Sequence, residues 1–130
     1  MFKTMLIEDN PIFSEVYKAY LNQEFPSMEI IEASNGEEAL RKMDLVTPGL
    51  IFIDIRLRNE NGLLLIQKIK MVHPETTIVI FTSYDYAEYR EAAMKMGADH
   101  YLTKTTTTPD EVIRLVKKIL IEKGYPHMGR

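Results

Sequence analysis

The stretch Leu50-Ile51-Phe52-Ile53 limits what this chain can fold into more than any other: it is apolar without interruption and runs straight into a carboxylate, Asp54. A strand with one wet face alternates polar and apolar residues. A run without alternation reads as a strand covered on both faces, as in a parallel sheet. Asp54 then stands at the carboxyl end of a central strand, where open α/β sheets place their ligand sites. Three further stretches have the same form. Lys3-Thr4-Met5-Leu6-Ile7 runs into Glu8-Asp9, Ile78-Val79-Ile80-Phe81 into Thr82-Ser83, and Asp99-His100-Tyr101-Leu102 into Thr103-Lys104. With these strands parallel and adjacent, three acids, a hydroxyl pair and one lysine gather at one edge of the sheet.

The intervening segments read as helices. Asn10 is a good N-cap, and Pro11 suits a first helical position, where its missing N–H has no helical partner anyway. Ile12, Phe13, Val16, Tyr17, Tyr20 and Leu21 follow at helical spacing, and Pro26 ends the run. The stripe is wider than one core-facing side requires. Most of it is expected to pack on the sheet, with Phe13 and Tyr17 as candidates for an exposed apolar patch. Met28–Glu32 is half polar and suits an outer strand. Ser34-Asn35-Gly36-Glu37-Glu38 has the form of a capping box before a second helix with Ala39, Leu40 and Met43 inward.

After Asp54 a polar loop, 56–61, turns at Asn61-Gly62 into a third helix carrying Leu63, Leu64, Ile66 and Ile69. Thr76 to Phe81 is rich in β-branched residues and reads as the next strand. Asp85-Tyr86-Ala87-Glu88 is a cap-with-acid signal for a fourth helix, which Gly97 ends in the left-handed conformation. Thr108-Pro109-Asp110-Glu111 has cap, proline and reciprocal acid in order, and Val112, Ile113, Leu115, Val116, Ile119 and Leu120 give the fifth helix its apolar face. Lys117, Lys118 and Lys123 lie towards its end, where they complement the dipole.

Strand and helix thus alternate five times, the layout of a parallel sheet with helices on both faces and right-handed crossovers. A length of 130 residues allows one domain and is short for two. Residues 1–124 read as that domain, and 125–130 as a tail or the start of a linker. A net charge of −3 disfavours a general nucleic-acid surface. The absence of cysteine excludes disulfides and thiolate metal sites. No apolar run approaches the roughly 20 residues of a membrane helix, and no charged-then-apolar leader precedes Glu8-Asp9. A cytoplasmic protein without membrane contact is the expectation.

Glu8, Asp9 and Asp54 are oxygen donors, a set that suits a hard cation such as Mg²⁺. Singly, an acid after a strand is commonly a helix cap or a solvated loop end. Three gathered without a cation repel one another. Lys104 at the same edge neutralises part of that charge and can contact a phosphoryl oxygen, although a lone lysine is usually just solvated. Thr82 offers a hydroxyl to the same group. A carboxylate can act as a nucleophile and form an aspartyl phosphate. The set therefore reads as Asp54 accepting a phosphoryl group, Glu8 and Asp9 holding Mg²⁺, and Lys104 and Thr82 engaging the product.

On the residues Glu8-Asp9, Asp54, Thr82, Tyr101 and Lys104, the chain resembles the receiver domain of two-component response regulators, over about Lys3 to Glu122. The resemblance implies a doubly wound α/β fold of five parallel strands in the CheY-like order 2-1-3-4-5 with five helices. It implies that the first acid of the pair acts on the metal through water, that the second binds it directly, and that Arg56 lends its backbone carbonyl. Thr82 would swing towards the phosphoryl group and Tyr101 would turn inward as the switch. The face of the fourth helix, fifth strand and fifth helix would then be read by partners, with Tyr86, Tyr89, Arg90, Met94, His100 and Lys117 as candidates.

The implied partners are a sensor histidine kinase or phosphotransfer protein, an output domain or downstream protein, and a second copy of the phosphorylated chain. The domain itself would make no contact with nucleic acid. It would be a phosphoacceptor that assists its own phosphorylation and dephosphorylation, not an enzyme acting on external substrates. Two departures stand out. Thr105 follows Lys104 where many receivers have proline, so no cis bond is expected there, and the first acid is Glu8 rather than Asp. Arg56 and Tyr84, two residues beyond Asp54 and Thr82, are bulky and expected to obstruct a hydrolytic water. A flavodoxin-type cofactor carrier would need a Ser-, Thr- or Gly-rich loop where Glu8-Asp9-Asn10-Pro11 stands. An aspartate phosphatase of the common form would need an acid where Arg56 stands. A pseudo-receiver used only for protein contacts would not need the full set of site residues.

Overall fold

Lys3–Ile7 forms β1, and it pairs on both sides, with Glu29–Ala33 (β2) on one and Leu50–Ile53 (β3) on the other. Thr77–Thr82 (β4) and His100–Thr103 (β5) extend the sheet to the order β2-β1-β3-β4-β5, every pair parallel. The connecting helices are Pro11–Glu24 (α1), Gly36–Met43 (α2), Gly62–Val72 (α3), Ala87–Met96 (α4) and Pro109–Glu122 (α5). This computed structural model describes residues 1–57 and 60–129, so part of the expected loop 56–61 lies outside the described residues. The doubly wound five-stranded arrangement expected from the alternation and the resemblance is the one found.

Alternate residues of the central strands feed two apolar layers. Ile51, Ile53 and Ile80 meet Ile66 and Ile69 of α3 on one face. Leu50, Phe52 and Phe81 meet Tyr17 and Leu21 of α1 and Val116 of α5 on the other. All four residues of β3 are buried, as its unbroken apolar run required. Burying each such side chain stabilises the fold by roughly 1.5–3 kcal/mol.

Register brings the strand ends together. Ile7 pairs with Ile53, so Glu8 and Asp54 leave the sheet side by side. Thr82 pairs with Thr103, which sets Lys104 one step beyond Thr82. Gly62 holds the chain close behind Asp54, since a Cβ there would lie 2.5 Å from the Cα of Ile55.

The helix caps follow the sequence in part. Asn10 accepts from the N–H groups of Ile12 and Phe13, and Thr108 and Glu111 form a full capping box. Gly97 ends α4 with φ of 115°. Among the described residues no peptide bond is cis, so Lys104-Thr105 is trans.

Several expectations need correction. In α1 the exposed row is Ile12, Val16 and Tyr20, whereas Tyr17 and most of Phe13 face the sheet. The cap of α2 is Asn35, and Glu38 reaches past it to accept from the N–H of Ser34. Tyr86, not Asp85, is the N-cap of α4, and no side chain caps that helix. In α3, Leu64 is exposed and Leu65 takes the inward place. Asp99 lies outside β5 because its carboxylate accepts from the N–H of Ile78 at 2.8 Å and from Lys70 at 3.0 Å. Lys117 turns to Glu24 of α1 at 3.9 Å, away from the face with α4. Just past α5, the ring of Tyr125 lies 5.2 Å from that of Phe2.

Candidate functional site

Three backbone hydrogen bonds continue the sheet past its last paired residues. Asp54 donates its N–H to Ile7 at 3.1 Å, Glu8 to Ala33 at 3.0 Å and Lys104 to Thr82 at 2.8 Å. These bonds extend the strand ladder by one residue, so the side chains of Glu8, Asp54 and Lys104 are placed by the sheet rather than by free loops.

The ammonium of Lys104 lies between two carboxylates. It donates to Oδ2 of Asp54 at 2.9 Å and to Oε1 of Glu8. The remaining oxygens are also used. Oδ1 of Asp54 accepts from the N–H of Arg56 at 2.9 Å, and Oε2 of Glu8 accepts from the N–H of Asn10 at 3.1 Å. Both acids are buried. Burial pushes the Glu8 carboxyl above its ordinary value, against the pull of Lys104 and the Asn10 N–H.

Asp9, partly exposed, borders both the cleft beside α1 and the cleft beside Arg56 and Tyr84. Among the described residues, no three His, Cys, Asp or Glu side chains gather in a metal-binding group. Glu8 and Asp54 meet through Lys104, whose positive charge lies between the two buried acids, and Asp9 stands at the rim beside them.

Thr82 is wholly buried, and its Oγ1 accepts from the N–H of Tyr84 at 3.3 Å. The carbonyl of the same Tyr84 accepts from the hydroxyl of Tyr101 at 2.7 Å. Tyr101 is already inward, with the Arg90 guanidinium 4.8 Å from its ring centroid. Burial raises the Tyr101 hydroxyl above its ordinary value. Outside these, the Arg56 guanidinium lies 4.3 Å over the Tyr84 ring, which stacks on Tyr89 at 5.0 Å.

Two roles are not legible in the sequence. Tyr84 connects Thr82 to Tyr101 through its main chain, which no side-chain pattern reveals. Spacing places Phe13 either in the stripe packed on the sheet or in a surface patch, and its ring also lies 4.0 Å from the Lys104 ammonium. A signal existed: α1 starts at Pro11, directly after Asp9 and Asn10, so its first turn must stand over the strand ends.

Comparison with known proteins matches residues 4–119 to the family described as the response regulator receiver domain. The chain is 31% identical over 107 residues to the nitrate/nitrite response regulator protein NarL of Escherichia coli K12, covering 82% of this chain and 49% of that protein. It is 28% identical to the transcriptional regulatory protein YesN of Bacillus subtilis, covering 94% of this chain and 33% of that protein. The chain thus spans between a third and a half of the length of these two relatives. A two-component response regulator from Clostridium difficile superposes with a TM-score of 0.88 at 27% identity, over 95% of this chain and 99% of that one. A CheY-like receiver from Methanospirillum hungatei shares the fold, with a TM-score of 0.86 at 24% identity, over 95% of this chain and 96% of that one. No helix among the described residues is long and apolar enough to cross a membrane. The chain belongs to the response regulator receiver domain family of two-component systems.

Proposed function

We propose that Asp54 accepts a phosphoryl group from a histidine kinase or phosphotransfer protein and that the change is read on the α4–β5–α5 face. One observation carries the reading: a buried carboxylate at the sheet edge shares one ammonium with a second buried acid. Two acids against one ammonium leave the site net negative, so it suits a phosphoryl group once a hard cation adds its charge beside Lys104. Arg56 N–H holds Oδ1 of Asp54 and Lys104 holds Oδ2, which becomes the attacking oxygen as the lysine gives it up. Its bond to phosphorus forms as the donor's bond to phosphorus breaks, giving an acyl phosphate. Lys104 then exchanges the carboxylate for a phosphoryl oxygen.

The donor chemistry fits Mg²⁺. Glu8, Asp9, Asp54 and the Arg56 carbonyl offer only hard oxygens, and they would hold it. When bound, the ion supplies positive charge against the phosphoryl oxygens.

Thr82 uses its oxygen to accept from Tyr84 N–H, so its own O–H proton is available to the phosphoryl group. A shift there moves the Tyr84 peptide and, through its carbonyl, the Tyr101 hydroxyl. Tyr86, Tyr89 and Met94 are exposed on the adjoining helix, where an output domain, downstream protein or second copy would dock. This is a two-state equilibrium biased by one new charge.

Incubation with acetyl phosphate and Mg²⁺, followed by intact mass, tests the reading. Wild type gains one phosphoryl mass, and Asp54→Ala gains none. Equal labelling of the two would reject it.

A further inference from the structure

Lys104 has a third partner besides the two acids. Its ammonium lies 4.0 Å from the centroid of the Phe13 ring. Asn10 fixes that turn of α1 by accepting from the N–H groups of Ile12 and Phe13 at 3.0 and 3.2 Å. The ring is itself supported, with centroids 4.9 Å from Tyr17 and 5.3 Å from Phe81. Phe81 is the β4 residue just before Thr82. The ring therefore rests on a helix and a strand rather than on a loop.

A cation over an aromatic face is attracted by the ring quadrupole, more strongly as water is excluded. The Lys104 side chain is only 13% exposed, so the contact is largely shielded from water. The acids and the ring differ in one respect. The field of the acids at the ammonium changes when a cation or phosphoryl group reaches them, whereas the field of the ring does not.

We infer that Phe13 is a positioning residue for Lys104: its ring holds the ammonium at the sheet edge while Asp54 gives up its bond to Lys104 and takes the phosphoryl group. The inference rests on the phosphoacceptor reading above and adds a residue to it.

Two substitutions separate ring from bulk. Phe13→Leu keeps an apolar side chain without a π face, and Phe13→Tyr keeps the face. The first readout needs no phosphodonor. In proton NMR of the unmodified protein, the Lys104 ε-methylene is shifted upfield by the ring in wild type and Phe13→Tyr, and the shift is lost in Phe13→Leu.

The second readout is the rate of adduct formation from acetyl phosphate. Phe13→Leu is expected to be about fivefold slower than wild type, with Phe13→Tyr restoring the rate. In a Lys104→Met background, Phe13→Leu makes no further difference. If folded Phe13→Leu reacts as fast as wild type, or slows Lys104→Met as much as it slows wild type, the inference is overturned while the phosphoacceptor reading stands. If wild type takes up no phosphoryl group at all, both fall.

Discussion

Lys104 donates to Oδ2 of Asp54 at 2.9 Å although their strands are not neighbours. β4 lies between β3 and β5, so the lysine reaches across the end of β4 to the acid. The same ammonium also meets Glu8, at the end of β1. One side chain thus ties together the carboxyl ends of three strands. Removing it leaves two buried acids without compensation, an arrangement more costly than the intact pair is favourable. Lys104→Met is predicted to lose about 3 kcal/mol of stability. Added Mg²⁺ is predicted to return part of that loss, and urea unfolding with and without the ion measures both.

The Arg56 guanidinium lies 4.3 Å from the centroid of the Tyr84 ring, and the two line the cleft that Asp9 borders. The double variant Arg56→Ala, Tyr84→Ala is predicted to release phosphate severalfold faster than wild type, because water reaches the phosphorus more freely. Phosphate release after removal of the donor decides this. Slower or equal release would reject the shielding role.

The Tyr101 hydroxyl serves the Tyr84 carbonyl at 2.7 Å. Tyr101→Phe keeps the ring and leaves that carbonyl with one bond fewer, at a cost of about 1 kcal/mol. Amide exchange at the start of α4 is predicted to speed up with little change in α2. Uniform loss of protection through the chain would instead mark a global effect.

Gly62 opens α3, where alanine would ordinarily favour the helix by about 1 kcal/mol. Here the added Cβ would meet backbone atoms of Ile55 at 2.5 and 2.8 Å. Gly62→Ala is therefore predicted to destabilise the domain and to slow adduct formation, since the segment behind Asp54 must move. Thermal unfolding and the labelling rate read the two effects.

The Ser34 N–H holds the Glu38 carboxyl below its ordinary value, aided by Lys42. A depressed folded value stabilises the protein above the unfolded value of 4.5, and the gain is lost as pH falls through the folded one. Glu38→Gln is predicted to cost on the order of 0.5 kcal/mol at neutral pH. As pH falls through the folded value, variant and wild type should converge. A difference that persists in acid would contradict the assignment.

Much of this architecture is written into local pattern. The unbroken run 50–53 announces a central strand, and acids or hydroxyls after each inner strand announce the edge at which chemistry gathers. Helix phase was less legible. In α1 the rows Ile12-Val16-Tyr20 and Phe13-Tyr17-Leu21 are equally apolar, and spacing alone does not say which meets the sheet. The fold chooses the second row because Phe81 and Phe52 lie beneath it. Lys117 was misplaced for the same reason. The Phe13–Lys104 contact joins a helix start to a strand end far away in sequence, so only the assembled sheet brings them together.

An acyl phosphate on aspartate is reduced by borohydride to homoserine, which marks the residue that carried it. The chain, labelled with acetyl phosphate and Mg²⁺, reduced and digested, should yield homoserine at position 54 and nowhere else. Homoserine at another aspartate, or none after saturating donor, would contradict the assignment of Asp54 as the phosphoacceptor.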